Sequence, residues 1–522
     1  MRRLVAMKKL MLALFVVMIV FGMVVKSDAQ TTPSMITYAV HADPMVFWDP
    51  AETWAAEIKV LQNIYEPLVK VIPGKPDKFI PILAESWTES ADHLKWTFKI
   101  RKNVKFHSGK MLTAQMAADS LNRTIKGGKG AVYIFEGVKE IKATDNSTLE
   151  FILDRPLPLL YIVSAGYGAY IYNPEHNKDW YYSLKADGTG PYKLRSYRKD
   201  GEVILEKFSD YWNGWRTENP APDFAVIKVV KEQITRRQML VNGTVDVVDM
   251  LGADILEPLK KDPNISISKI SSYQQLTVFL NTQKEPLNNK KVRQALAYLM
   301  PYEDLIKYVM KGNAVQARGV IPPNLWGHGE QLFQYKYDIE KAKQLLSEAG
   351  YPNGGFKLLY TYTAGDQNIQ KMGEIFKDSL AKVGIELELR GMTVDSKYNL
   401  AKATNPQDRQ DITALYWWPD NIDPQGYMVS QFHSEKEVGF NFGYYSNPKV
   451  DALIDEAINV AGVSTEKAVQ KYIQAQEIIL DDCPAIMVYC DEYIRPYRKN
   501  IIGYKDNPGY PETVFFYDLH KQ

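Results

Sequence analysis

Residues 356–391 read "FKLLYTYTAGDQNIQKMGEIFKDSLAKVGIELELRG". The first eight residues, 356–363, have the aromatic and β-branched composition of a strand. Apolar residues then recur at helical spacing as far as Gly384, which is a typical helix stop. Residues 385–391 alternate between apolar and polar side chains, as a strand does. This stretch therefore predicts a β-α-β unit.

The pattern continues beyond this unit. A short helix is expected near residues 395–403, and "DITALYW" at 411–417 reads as a further strand. The order β-α-β-α-β predicts parallel pairing and an α/β fold. Helices with clear starts flank the segment, because Asp338, Asn447 and Ser464 each precede an apolar-periodic run as a capping residue.

The amino-terminal part of the chain is richer in strands. Residues 94–100, 104–107 and 148–153 alternate as strands do, and Gly, Asn and Pro separate them. One helix is expected at 113–125, with Thr113 as its cap. We find no repeat and no long Gly/Ser linker, so any motion between domains must use ordinary strand crossings.

The segment "ALYWWPDNIDP" (414–424) follows the last strand of the α/β run. Ligands of open α/β sheets bind at the carboxyl ends of strands, so Asp420 and Asp423 are expected over a crevice there. An indole beside a shielded carboxylate favours an ammonium group. Because consecutive strand residues face opposite sides, one of Trp417 and Trp418 is expected to be a core residue.

Residues 1–29 have the features of a signal peptide: a basic start, an apolar run from Leu10 to Val25, and small residues at the cleavage positions before Gln30. An uncleaved anchor remains the alternative. No cysteine stands at the cleavage point, so a lipid anchor is not expected. The sequence thus predicts an exported protein.

The charge of the mature chain excludes some partners. Without the signal peptide it has 58 basic and 61 acidic residues, and it lacks a basic block for nucleic acid or anionic lipid. About 490 residues exceed one compact core, so two or three structural units are expected. The two cysteines, Cys483 and Cys490, are expected to be free and buried, because an extended segment between them would hold the sulfurs too far apart.

Catalytic motifs are missing from the sequence. We find no nucleophile elbow, no zinc-protease helix and no phosphate-binding loop, and the seven histidines are scattered. We therefore predict no catalytic residue, no metal site and no cofactor, and a binding function fits the sequence better than an enzyme.

Residues 81–123, "PILAESWTESADHLKWTFKIRKNVKFHSGKMLTAQMAADSLNR", carry a clear resemblance. They resemble the signature of the family 5 extracellular solute-binding proteins, the dipeptide- and oligopeptide-binding components of ABC importers. The resemblance continues from Ile36 to the end of the chain, in "TGPYKL" (189–194), "LEKFSDYWNG" (205–214), "RRQMLVNGTVDVV" (236–248), "FLNTQKEPLNNKKVRQALAYLM" (279–300), "YDIEKAKQLLSEAGY" (337–351) and "YYSNPKVDALIDEA" (444–457).

The resemblance implies a two-lobed periplasmic binding protein fold of type II-like, class C form, which closes on its ligand. It implies lobe I at residues 30–278, with an extra β-rich subdomain near 62–185. Lobe II would occupy 279–488, and residues 489–522 would return to lobe I. The independently predicted α/β run lies inside the expected second lobe.

The resemblance also implies ligand-binding residues. In peptide-binding relatives an aspartate at the position of Asp420 holds the α-amine of the peptide, and the tryptophan of that motif matches Trp417. Trp418 stands where relatives carry a smaller residue. The arginine that fixes the carboxylate of a dipeptide has no match in "TAGDQNIQK" (363–371). The remaining candidates are Glu52, Thr53, Trp54, Asp249 and Tyr273.

The function implied is capture of peptides in the cleft between the lobes and delivery to an ABC permease and ATPase complex, by a protein expected to be monomeric. An oligosaccharide is an alternative ligand, because indoles also stack on sugar rings and the missing arginine suits a neutral solute. Metal chelates, haem and opines remain open. A sensory binding protein and a secreted enzyme on the same scaffold are the alternatives from other classes.

Overall fold

The computed structural model describes residues 33–72, 74–510 and 512–522. The expected signal peptide at residues 1–29 lies outside the described residues. Among the described residues, no helix combines the length and the apolar character needed to cross a bilayer.

The strands follow the chain as β1 (Met35–Val40), β2 (Val69–Ile72), β3 (Lys75–Pro81), β4 (Ala84–Glu89), β5 (Lys95–Ile100), β6 (Val138–Asp145), β7 (Thr148–Leu153), β8 (Tyr192–Arg198), β9 (Glu202–Lys207), β10 (Phe224–Val229), β11 (Val247–Val248), β12 (Ile265–Leu280), β13 (Ala314–Gln316), β14 (Lys357–Thr363), β15 (Glu386–Met392), β16 (Ile412–Trp417), β17 (Ala485–Arg498), β18 (Ile501–Ile502) and β19 (His520–Lys521).

The longer helices are Ala114–Gly127, Gln233–Val241, Lys290–Leu299, Ile339–Glu348, Gln367–Ala381, Val394–Ala401, Gln425–Phe432, Pro448–Ala461 and Thr465–Asp482. Shorter helical segments are Ile58–Leu61, Val132–Phe135, Leu159–Ile162, Lys178–Tyr182, Ala253–Leu256, Glu257–Lys261, Tyr302–Asp304, Leu305–Val309, Pro406–Asp408 and Phe516–Asp518. The capping predictions are confirmed, because the side chains of Thr113, Asp338, Asn447 and Ser464 each accept a backbone N–H of the first turn.

The predicted parallel α/β run is confirmed. The largest sheet has the strand order β15-β14-β16-β12-β17-β11-β1-β10-β9-β8, and β13 pairs with β17 outside this path. Strand β14 pairs in parallel with both β15 and β16. Parallel strands must be joined by crossovers, and the helices Gln367–Ala381 and Val394–Ala401 supply them.

The amino-terminal region contains a separate sheet of order β4-β5-β7-β6, which packs against the helix Ala114–Gly127. The strand expected at 104–107 is absent. Val104 and Phe106 are buried there, but Lys105 makes only an isolated bridge to Met111. The alternation of side chains thus reflected burial on one side of a turn, without a ladder of backbone hydrogen bonds.

Apolar side chains form separate cores that define the two lobes. We call lobe I the part packed around the cluster that contains Ile36, Phe98 and Phe151, and lobe II the part packed around the clusters of Leu276 and Phe279. The family's two-lobed fold is therefore present. The exact boundaries at 278 and 488 stay a prediction.

Two long antiparallel strands, β12 and β17, connect the lobes. Their pairing runs from Ile265 opposite Arg498 to Phe279 opposite Ala485, and the register shifts between Ser271 and Gln275. At this shift the hydroxyl of Ser272 donates to the carbonyl of Asp491 at 2.7 Å. The connection is thus a hydrogen-bonded sheet in place of a loose linker.

Both cysteines are unpaired and buried, as predicted. Cys483 ends the helix Thr465–Asp482, and Cys490 lies within β17. Burial raises the pKa of each thiol above its usual value, to about 12 for Cys483, so neither is a reactive thiolate near neutral pH.

Candidate ligand-binding cleft

The segment 414–424 lies where β16 leaves the sheet. Strand β16 ends at Trp417, so Trp418, Pro419 and Asp420 extend beyond the carboxyl edge that it shares with β14. This is the edge at which α/β sheets bind ligands. The predicted position of Asp420 past the strand end is therefore confirmed, while its role in binding stays a prediction.

The side chain of Asp420 is held by residues of the other lobe. The hydroxyls of Tyr133 and Tyr167 each donate to one of its carboxylate oxygens. The hydroxyl of Tyr510 donates to the main-chain carbonyl of Asp420 at 3.2 Å. Tyr167 and Tyr510 pack in the lobe I core, so these contacts join lobe II to lobe I.

The environment of Asp420 changes the pH at which its carboxyl group ionises. Burial raises the pKa of its carboxyl to about 7. Two neutral hydroxyls supply hydrogen bonds but no positive charge. A ligand ammonium would supply that charge and favour the ionised carboxylate.

The adjacent tryptophans differ in their surroundings. Trp417 packs against the lobe II core, with its ring edge-on to Phe440 at 5.0 Å between centroids, so it is the core residue of the pair. Its buried indole Nε1 has no hydrogen-bond partner among the described residues. Trp418 is half-buried, and no ring contact is found for it within the described ranges. Trp418 is thus the indole of the pair that lies outside the described apolar cores, and the role of either indole in binding stays a prediction.

Asp423 does not lie over the crevice as expected. It is 2% exposed, and its carboxylate accepts the backbone N–H of Gln425 at 2.7 Å. This bond holds the turn that leads into the helix Gln425–Phe432. Burial raises the pKa of Asp423 to about 7 as well, but its hydrogen bond gives it a structural function.

The predicted loop residues Glu52, Thr53 and Trp54 lie side by side but have different environments. The carboxylate of Glu52 pairs with Lys178 at 2.9 Å and with Lys129 at 3.3 Å. Burial alone would raise the pKa of Glu52, but hydrogen bonds from Lys178, Tyr182 and Lys129 outweigh it and lower the pKa. Thr53 is buried and donates to the carbonyl of Pro50, while Trp54 is 43% exposed. Among the three, Trp54 alone has a large exposed surface, and the binding role of all three stays a prediction.

The structure places Asp249 inside a buried ion pair. Its carboxylate lies 3.0 Å from Nε of Arg236 and accepts the backbone N–H of His41 at 2.7 Å. Neither side chain of the pair is more than 3% exposed. These contacts explain Asp249 as a structural residue, and its predicted role as a ligand contact stays untested.

Tyr273 packs in the lobe II core and is 1% exposed. Its backbone N–H donates to the carbonyl of Pro508 at 2.8 Å, and its own carbonyl accepts the hydroxyl of Tyr427. These bonds anchor the register shift of β12. Among the contacts of the described residues, none joins Tyr273 to the carboxylate of Asp420.

Among the described residues, three side chains lie close enough together to be considered as ligands of a metal ion. Possible ligand atoms of His41, Asp249 and Glu512 all lie within 4.8 Å of one another. The cations Arg236 and Lys59 already pair with the two carboxylates. Burial alone would raise the pKa of Glu512, but the charges of Lys59, Arg495 and His41 lower it. A divalent cation would have to displace these groups, so the donor set does not fit a resident metal.

Sequence reasoning missed Tyr133, Tyr167 and Tyr510. The chain has 33 tyrosines, and nothing in the local sequence marks these three. They lie 287, 253 and 90 residues from Asp420 along the chain. Their role depends on how the lobes meet, which a local pattern does not carry.

Comparisons with known proteins identify the family of the chain. Residues 78–438 match the family described as "Bacterial extracellular solute-binding proteins, family 5 Middle". The probable D,D-dipeptide-binding periplasmic protein DdpA of Escherichia coli K12 is 29% identical over 503 residues, covering 92% of this chain and 93% of its own. The heme-binding protein A of Haemophilus influenzae is 30% identical over 482 residues, covering 86% of each chain.

The fold is shared with a solved structure of a similar protein. The ABC transporter-associated periplasmic binding protein DppA from Helicobacter pylori, in complex with the peptide STSA, superposes with a TM-score of 0.78 at 27% identity. The match covers 95% of this chain and 100% of that one. The profile match, the relatives along most of the chain and the two-lobed fold together show that the chain belongs to family 5 of the bacterial extracellular solute-binding proteins.

Proposed function

We propose that the protein captures peptides with a free α-amine in the cleft between its lobes and delivers them to an ABC permease and ATPase complex. The observation that supports this most directly is the carboxylate of Asp420, which lobe II presents to hydroxyls of lobe I. An ammonium beside it would gain a charge-assisted hydrogen bond. Trp418 would add an apolar surface next to the charge.

The remaining parts of the proposal follow from the family and from the sequence. The relatives named above include a dipeptide-binding periplasmic protein and a peptide complex, which supports a periplasmic location after signal cleavage and a peptide ligand. The proposal involves no chemical step, no cofactor and no oligomer. It assigns lobe I to residues 30–278 and lobe II to 279–488.

A neutral, hydroxyl-rich solute is the second candidate. The two groups that donate to the carboxylate of Asp420 in this structure are tyrosine hydroxyls, and sugar hydroxyls donate in the same way. The segment 363–371 contains no arginine to pair with a ligand carboxylate. An oligosaccharide would use both features without requiring a charge.

Blocking the amine of the ligand distinguishes the two candidates. Mass spectrometry of the small molecules that co-purify with the native protein identifies the peptide to test. Acetylation of its α-amine is expected to weaken binding roughly ten- to a hundredfold, since a hydrogen bond to a charged group contributes about 1.5–3 kcal/mol. Calorimetry measures both forms. Equal affinities for the two forms, or a co-purified sugar, would refute the amine-binding proposal.

The affinity for a free amine is also expected to depend on pH. The pKa of Asp420 is raised to about 7 in the protein without ligand, so its carboxyl binds a proton below that pH. An ammonium must displace this proton to pair with the carboxylate. The α-amine itself stays charged below its pKa of about 8. Affinity is therefore highest between about pH 7 and about pH 8, and it falls as pH decreases below about 7, by up to about tenfold per unit.

Calorimetric titrations from about pH 5.5 to about pH 7.5 measure this dependence, and buffers with different ionisation enthalpies count the protons released. The variant Asp420→Asn serves as the control, because it lacks the titrating group and should lose the slope. A constant affinity across this range in the native protein would contradict the proposed pairing.

A further inference from the structure

Gly462 of lobe II lies against the backbone of lobe I. It follows the helix Pro448–Ala461, which packs in the lobe II core. A Cβ atom built on Gly462 would lie 2.4 Å from the nitrogen of Leu157 and 2.5 Å from the carbonyl carbon of Pro156. The side chain of Leu157 belongs to the lobe I core. The two lobes therefore approach each other here more closely than any side chain would permit.

The conformation of Gly462 does not itself require glycine. Its φ of −69° and ψ of −16° lie in the right-handed helical region that any residue adopts. An alanine at this position would be compatible with the backbone of lobe II alone, and it would favour the helical conformation more than glycine does. The obstacle to a side chain is thus the backbone of the other lobe, which has no flexible end that can turn away.

A second contact lies close by in the sequence of lobe I. In the short helix Leu159–Ile162, the side chains of Leu159 and Ile162 pack in the lobe I core. Tyr161 instead joins the lobe II core. Its ring stacks on Trp326 at 5.7 Å with an interplanar angle of 27°, and it is 8% exposed. This single helical turn thus packs in lobe I and contributes the ring of Tyr161 to the core of lobe II.

Other lobe I and lobe II residues extend this aromatic contact. Phe79 of strand β3 meets the ring of Tyr161 edge-on at 5.0 Å, and Tyr472 meets Trp326 at 5.8 Å. Aromatic pairs at these distances stabilise a contact beyond the effect of the area that they bury. The contact is apolar, and it involves other residues than the three tyrosines that bond to Asp420.

We propose that Pro156, Leu157 and Tyr161 of lobe I, with Trp326 and Gly462 of lobe II, form a clasp that favours the closed arrangement without any ligand. The clasp adds favourable contacts only when the lobes are together. It therefore raises the fraction of the free protein that is already closed. A ligand that needs the closed cleft binds more tightly as that fraction increases.

The variant Gly462→Ala tests the clasp directly. Spin labels at Lys139→Cys in lobe I and Glu466→Cys in lobe II report the distance between lobes, because both positions are exposed and the native cysteines are buried. The protein is first freed of small molecules by unfolding and refolding, and no ligand is added. The ligand-free native protein is expected to show a short-distance population, and Gly462→Ala is expected to lower its ratio to the long-distance population about tenfold.

Two further variants complete the test. Gly127→Ala is the matched control, because a Cβ at this exposed helical glycine meets nothing within 4 Å and should leave the distances unchanged. Tyr161→Ala removes the ring contact without adding atoms, so it is expected to open the lobes even if Gly462→Ala fails to fold. A native protein that shows only the long distance, or variants at 462 and 161 that leave the distances as in the native protein, would overturn the proposal.

Discussion

Replacing Asp420 by asparagine is expected to weaken the binding of a peptide with a free α-amine at least ten- to a hundredfold. The amide keeps the shape of the side chain and removes its charge. The charged hydrogen bond that is lost contributes about 1.5–3 kcal/mol, and the loss is larger if the ammonium is left buried without a partner. Calorimetry with the co-purified peptide and its N-acetylated form measures the effect.

The acetylated peptide supplies the control for this variant. If the amine and the carboxylate act as a pair, acetylation should cost little further affinity in Asp420→Asn, because the partner is already gone. The free energy of unfolding of Asp420→Asn should be no lower than that of the native protein. The folded-state pKa of Asp420 is raised to about 7, so the ionised carboxylate lowers stability as pH rises toward that value, and an uncharged amide avoids this cost. Affinities that stay unchanged on both substitution and acetylation would point to a neutral ligand.

Replacing Arg236 by methionine is expected to lower the free energy of unfolding by about 3–5 kcal/mol, since it leaves the buried carboxylate of Asp249 without its cation. The guanidinium also donates to the carbonyls of Val230, Lys231 and Met250, each at 2.7 Å. The substitution leaves these carbonyls without that donor. Urea unfolding, monitored by circular dichroism, gives the free energy of the first unfolding transition for the variant and for the native protein.

The pair Lys343 and Glu340 supplies a matched control. Its Nζ–Oε1 distance is 2.9 Å, close to that of the buried pair, but its side chains are 47% and 78% exposed. Lys343→Met is therefore expected to change the free energy of unfolding by less than about 1 kcal/mol. An Arg236→Met protein as stable as this control would show that Asp249 does not depend on its ion pair. Its role as a ligand contact would then need to be considered again.

The α/β run of lobe II could be predicted because its signals are local. Apolar spacing identified the helix Gln367–Ala381, and glycine marked its end. The position of Asp420 followed from the end of β16 and from the general rule for α/β sheets. Such features depend on residues a few positions apart, so one sequence is enough to find them.

Other features depended on contacts that local patterns do not carry. Asp423 stands three residues after Asp420, yet its carboxylate turns inward to the N–H of Gln425. Val104 and Phe106 alternate like strand residues but lie in a turn, because burial alone produces the same alternation. The tyrosines around Asp420 come from distant parts of lobe I. The tertiary arrangement of the lobes decides all three cases.

The connection between the lobes has a consequence for the thermodynamics of capture. Strands β12 and β17 stay paired on both sides of the register shift, and Ser272 and Tyr273 at the shift are buried and hydrogen-bonded. A hinge built in this way has little conformational entropy left to lose when the cleft shuts. Preorganisation of this kind reduces the part of the association free energy that is spent on ordering the protein. In the capture proposed above, this hinge would therefore take up little of the binding free energy, and most of that free energy would remain for the contacts with the ligand.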